Sequence, residues 1–95
     1  MSVSPDTPVE QFKNIGPKSA GWLREIGIET YADLENAGYL LTYKMLKHRY
    51  KGISIVMLYA LYGTLNDKHW NELSPEEKAM LKEAAKTPID ISFGD

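Results

Sequence analysis

Apolar residues recur at helical spacing along most of the chain, and short polar or glycine-containing breaks divide them into six runs. Thr7-Pro8-Val9-Glu10 has the order of a capping box with proline at the first helical position. It predicts a short helix that turns Val9 and Phe12 inward and stops near Asn14. A second helix is expected from Pro17 to about Ile26, with Ala20, Leu23 and Ile26 on one face and Gly21 admitting a neighbouring backbone. Gly27 suits a left-handed stop, and Ile28 supplies the apolar contact that follows one. Thr30 and Asp33 repeat the capping logic for a short third helix that Gly38 ends. Residues 39–51 predict a fourth helix. Tyr39, Tyr43, Leu46 and Tyr50 form one stripe of it, and Lys44, Lys47, His48 and Lys51 lie on another face.

Gly52 terminates that helix, and Ser54 caps a fifth that is apolar almost all round and therefore expected at the centre. "NDKHW" reads as a turn after which Trp70 and Leu73 fold back on the core, Trp70 as a clasp. Ser74-Pro75-Glu76-Glu77 is a capping box opening a sixth helix with Met80, Leu81, Ala84 and Ala85 inside, stopped at Thr87-Pro88. Ile89, Ile91 and Phe93 alternate with polar residues, which suits an extended segment docking on the body or on a partner. No other run reads as a strand. The expected fold is all-α: a tail over residues 1–7, one compact domain of five to six short helices over 8–87, and an extended tail over 88–95.

Composition narrows the function. The chain has 95 residues and no cysteine, which excludes disulfides, thiolate metal sites and thiol nucleophiles. His48 and His69 stand too far apart for a zinc pattern, so no metal and no cofactor is expected. "GPKS" lacks the glycine-rich run of a phosphate-binding loop, and no nucleophile–base or paired-carboxylate arrangement is present, so no enzymatic activity is expected. The start of the chain has no secretory-leader pattern, and the most apolar stretch, Ile53 to Leu65, falls short of the roughly 20 residues a membrane helix needs. The expectation is a cytoplasmic protein without a membrane contact. Formal charge is −2, but residues 1–51 carry seven basic against six acidic groups and the remainder four against seven. A nucleic-acid surface is therefore expected in the first half.

Two breaks resemble each other. Asn14-Ile15-Gly16 and Gly52-Ile53-Ser54 each place an isoleucine between small residues, and each lies between helices. Both are degenerate forms of the Gly-hydrophobic-Gly turn, and with the third helix as connector they predict a tandem helix-hairpin-helix-like (SAM-like) layout. In such a turn, small residues leave the amides at a helix start free to face a phosphate, where the helix dipole adds positive charge. The expected partner is double-stranded DNA, bound weakly through its backbone by Asn14, Gly16, Lys18, Ser19, Lys44, Lys47, His48, Lys51, Gly52 and Ser54. The alternatives stand beside it. Glycine and proline also build a plain tight corner, and a lysine face near a helix end is commonly only solvated surface. The tyrosine stripe has core spacing rather than that of a base-stacking platform. Trp22, off the apolar face, either covers the core edge or offers a partner an anchor together with Ile89, Ile91 and Phe93.

The segments "FKNIGPKSAGWLREIGIETYADL", "GYLLTYKMLK", "GISIVMLYALYGTL" and "HWNELSPEEKAMLKE" resemble the C-terminal domain of the TfoX family of bacterial competence regulators, from about Val9 to Glu83. That resemblance implies a helical regulatory domain at residues 8–87 and, in full-length relatives, a role in switching on DNA-uptake genes with a larger transcription factor. Full-length relatives also carry an N-terminal domain that this chain is expected to lack. The expected protein partners are accordingly a transcription-related protein, a separate N-terminal TfoX-like chain, or a second copy as a homodimer.

Overall fold

The computed structural model describes residues 4–86. The described part contains five α-helices: α1 (Pro17–Glu25), α2 (Tyr31–Ala37), α3 (Tyr39–Arg49), α4 (Ile55–Leu65) and α5 (Pro75–Lys86). Single 3-10 turns at Val9–Gln11 and Trp70–Glu72 complete it. Among the described residues there is no strand, only an isolated antiparallel bridge between Pro8 and Thr30. The all-α class is as expected. The segment 88–95, with Ile89, Ile91 and Phe93, lies outside the described residues.

Local signals formed where their partners are close in sequence. Thr30 accepts from the Asp33 amide and Asp33 reaches back to the Thr30 amide, closing the box that starts α2. Ser74 and Glu77 do the same for α5, at 2.8 and 3.1 Å. At the end of α1, Ile28 N donates to Leu23 O and Gly27 N to Arg24 O, with Gly27 at φ 91°. This is a Schellman ending, and Ile28 is buried beside it as the motif requires.

Three expectations failed for tertiary reasons. Thr7 caps nothing: its hydroxyl accepts from Ser4 N, its carbonyl accepts from Tyr31 N, and Glu10 pairs with Arg24 instead of reaching back. The first helix is accordingly one 3-10 turn, although Val9 and Phe12 are buried as expected. Gly21 faces open space, and the glycine that does admit a backbone is Gly63, where a Cβ would stand 2.6 Å from Lys68 O. Met80, expected inside, is 46% exposed, and Leu81 alone of α5 is fully buried.

The core forms around α4, in which Met57 to Leu61, Gly63 and Thr64 are all buried. α3 and α5 pack on it, and α3 contributes Tyr43 and Leu46. Tyr43 is 4% exposed, and burial first, then the nearby Tyr59, raises its phenol pKa. Tyr39 meets Tyr62 edge-on at 5.1 Å. Tyr43 and Tyr59 belong to the core, and Tyr39 and Tyr62 pack half-buried against it.

Candidate functional site

Ile15 and Ile53 are both buried, so each isoleucine turn is plugged into the core by its central residue. The left-handed residue of the first turn is Asn14, at φ 77°, whereas Gly16 is extended and a Cβ on it or on Gly52 would meet nothing within 4 Å. Asparagine tolerates that conformation because its short polar side chain bonds locally or to nearby backbone. Asn14 Nδ2 donates to Ala60 O at 3.3 Å and Lys68 O at 2.9 Å, and Oδ1 accepts from Trp70 N at 3.1 Å. Two carbonyls and one amide fix which end of the carboxamide points where. Thr64 Oγ1 adds a bond to Lys13 O. The first turn is thereby fastened to α4 and to the segment before α5.

The helix starts differ. No side chain caps α1, whose N-cap is Gly16, so the first-turn amides of Lys18 and Ser19 have no intrahelical acceptor. At α4, Ser54 Oγ accepts from Val56 N at 3.3 Å, and Lys47 Nζ donates to Ile53 O at 3.2 Å. The second turn is closed by Ser54 and by Lys47 of α3.

Between the turns lies a cleft of about 280 Å³. The first turn and α1 contribute Asn14, Ser19 and Trp22 to its lining, the second turn Gly52, Ile53 and Ser54, α4 Val56, Met57 and Ala60, and the second 3-10 turn Trp70. Trp22 stacks on Tyr50 at 5.4 Å with the planes tilted 32°, and Lys18 Nζ sits 5.4 Å from the Trp22 ring centre. Arg49 lies over the other partner, Tyr50, at 5.8 Å and pairs with Glu25 at 2.9 Å. Lys78 stands 5.8 Å over Trp70 and 5.9 Å over Tyr59. These positions leave ammonium groups beside two indole faces.

Of the sequence-derived phosphate-contact set, Asn14, Ser19, Gly52 and Ser54 meet in this cleft, and Gly16, Lys18 and Lys51 flank it in sequence. Asn14 and Ser54 use their side chains within the fold. Lys44, Lys47 and His48 are on α3, of which Lys47 returns to Ile53, and Lys44, His48 and Lys51 have no acidic partner among the described residues. Trp22 is both core edge and cleft wall. Sequence reasoning missed Ile53, Val56, Met57, Ala60 and Trp70 as cleft residues. A signal existed: Ile53, Val56, Met57 and Ala60 fall at the i, i+3, i+4, i+7 spacing of one helix face.

No group of three His, Asp or Glu side chains among the described residues is placed to hold a metal ion. No described helix is long and apolar enough to cross a membrane.

A family model described as the TfoX C-terminal domain matches residues 6–85. No match was found among curated proteins. A crystal structure of an uncharacterized protein from Listeria monocytogenes superposes with a TM-score of 0.78 at 24% identity, covering 84% of this chain and 91% of that one. The likeness shows a shared fold.

Proposed function

Because the chain belongs to the TfoX C-terminal domain family, we propose that it is a non-catalytic regulatory adaptor, acting in the bacterial cytoplasm on the control of competence or transcription by holding a segment of another protein. One observation carries this reading: both turns and both tryptophans of the chain converge on a single cleft with an apolar floor. Indole walls around a concavity are the usual anchor for a partner side chain. Selection of a random peptide library on the full chain tests it, with Val56→Phe as the counter-target. Val56 is 39% exposed in the cleft wall, so the larger ring fills the cleft without disturbing the core. Peptides that lose binding to Val56→Phe are the expected result, and their absence would remove the adaptor reading.

A second reading is favoured by a separate observation, the uncapped start of α1 beside the exposed Lys18. In it the domain touches the backbone of double-stranded DNA weakly and without reading sequence. Each phosphate contact adds about 0.9 to the slope of log affinity against log salt. Titration of labelled duplex at two salt concentrations, with Lys18→Glu and Lys51→Glu, decides it. Affinity that ignores both salt and these reversals is incompatible with this surface.

A further inference from the structure

Resting on the adaptor reading, we propose that the cleft receives one bulky apolar side chain from an acidic peptide segment. A volume of about 280 Å³ lies just below the roughly 300–1,000 Å³ of small-molecule pockets, which suits a single large side chain. Ile53, Met57 and Ala60 give it an apolar floor, and Trp22 and Trp70 give it aromatic walls. The lining itself carries no charged side chain, and the cations stand around it. Lys18 and Lys78 stand over the two indoles, Lys47 is held at Ile53 O, and Lys51 is exposed next to Gly52. The starts of α1 and α4, with their partial positive charge, both border the cleft through Ser19 and Ser54. Of the nearby acids, Glu25 and Glu77 are paired with Arg49 and Lys68, and Glu72, two residues from Trp70, accepts from His69 N.

This positive field is local, because the whole molecule carries a formal charge of −2. A short acidic peptide feels mainly the lysines within a Debye length of about 10 Å. A long polyanion also meets the acidic remainder. Two of the polar side chains inside the cleft have other partners: the Asn14 amide bonds three backbone groups and Ser54 Oγ accepts from Val56 N, which leaves Ser19 and the first-turn amides of α1 as its open polar groups. Apolar floor, aromatic walls and cationic rim together match an acidic segment with one apolar anchor better than a nucleic-acid strand.

Both tryptophans of the chain line the cleft, so intrinsic fluorescence of the intact 95-residue protein reads its occupation directly. The probes are the peptides DEDFDED, DEDADED and KRKFKRK, and an oligo-thymidine strand. DEDFDED is expected to give a saturable change below about 1 mM, and the Lys18→Glu/Lys51→Glu variant to weaken it about tenfold at low salt. Equal binding of DEDADED would remove the anchor, and equal binding of KRKFKRK would remove the charge argument. No saturable response to DEDFDED, or a tighter response to oligo-thymidine, overturns the proposal. Failure here is separable from failure of the adaptor reading: library peptides that need an open cleft yet are neutral or basic refute only the acidic partner, whereas no cleft-dependent peptide refutes both.

Discussion

Replacing Asn14 by alanine should unfasten the first turn from the rest of the bundle. Three hydrogen bonds are lost, to Ala60 O, Lys68 O and Trp70 N, at 3.3, 2.9 and 3.1 Å. Each such bond contributes about 0.5–1.5 kcal/mol net, and in this partly buried site water relieves some of the orphaned groups, so the three together give about 2–3 kcal/mol. The backbone adds a second cost. At φ 77° alanine is strained where asparagine is tolerated, which adds about 1 kcal/mol. The sum of about 3–4 kcal/mol is a large share of the roughly 5–14 kcal/mol expected of a domain this size. In urea, with m of about 1–1.5 kcal/mol/M, the midpoint should fall by about 2–4 M or the variant should be unfolded outright. Asn14→Gly loses the same bonds but accepts the left-handed backbone, so it should be the milder change by a few tenths to about 1 kcal/mol. Far-UV circular dichroism across a urea series measures all three proteins. A loss under about 1 kcal/mol for Asn14→Ala, or a glycine variant no more stable than the alanine one, would refute this account of the turn.

The same substitution should have opposite signs at two helical glycines. Gly21→Ala meets nothing within 4 Å and should stabilise α1 by about 0.5–1 kcal/mol through helix propensity. Gly63→Ala puts a Cβ 2.6 Å from Lys68 O and 2.8 Å from Asn14 Nδ2 and should destabilise by about 1–3 kcal/mol; thermal unfolding of the pair reads both, and equal shifts would contradict the packing described. Acid should weaken the fold through two caps. Backbone amides hold Asp33 below its usual range, first that of Glu29 and then that of Thr30, while for Glu77 the Ser74 amide is the main cause, followed after an opposing burial effect by Lys68 and Tyr62. A carboxylate depressed in the folded state contributes fully above its unfolded pKa and less as pH falls toward the folded value, so this stability should decline below about pH 4. Urea midpoints across that range should vary less in Asp33→Asn/Glu77→Gln, and an unchanged acid limb would show that other groups dominate.

How much of this was legible in the sequence depended on how far apart the interacting residues lie. Thr30 with Asp33, Ser74 with Glu77, and Gly27 with Ile28 and Leu23 find their partners within five positions, and each behaves in the fold as its local order predicts. The apolar circumference of the Ile53–Leu65 stretch likewise determined that α4 would be central, since most of its faces are apolar, and only Val56 of the helix is left exposed. Thr7 and Glu10 had the same local order as a box, yet the bridge to Thr30 and the pairing with Arg24 drew their groups away. Asn14 bonds residues 46 to 56 positions away, and the close approach expected at Gly21 occurs at Gly63 because the chain returns there at Lys68. The cleft belongs to that second category: Trp22, Gly52 and Trp70 carry no shared period, and only close packing of separate segments brings them to one mouth. Local hydrogen bonding is written in neighbouring residues, but a concave surface exists only where distant backbones fail to fill the space between them.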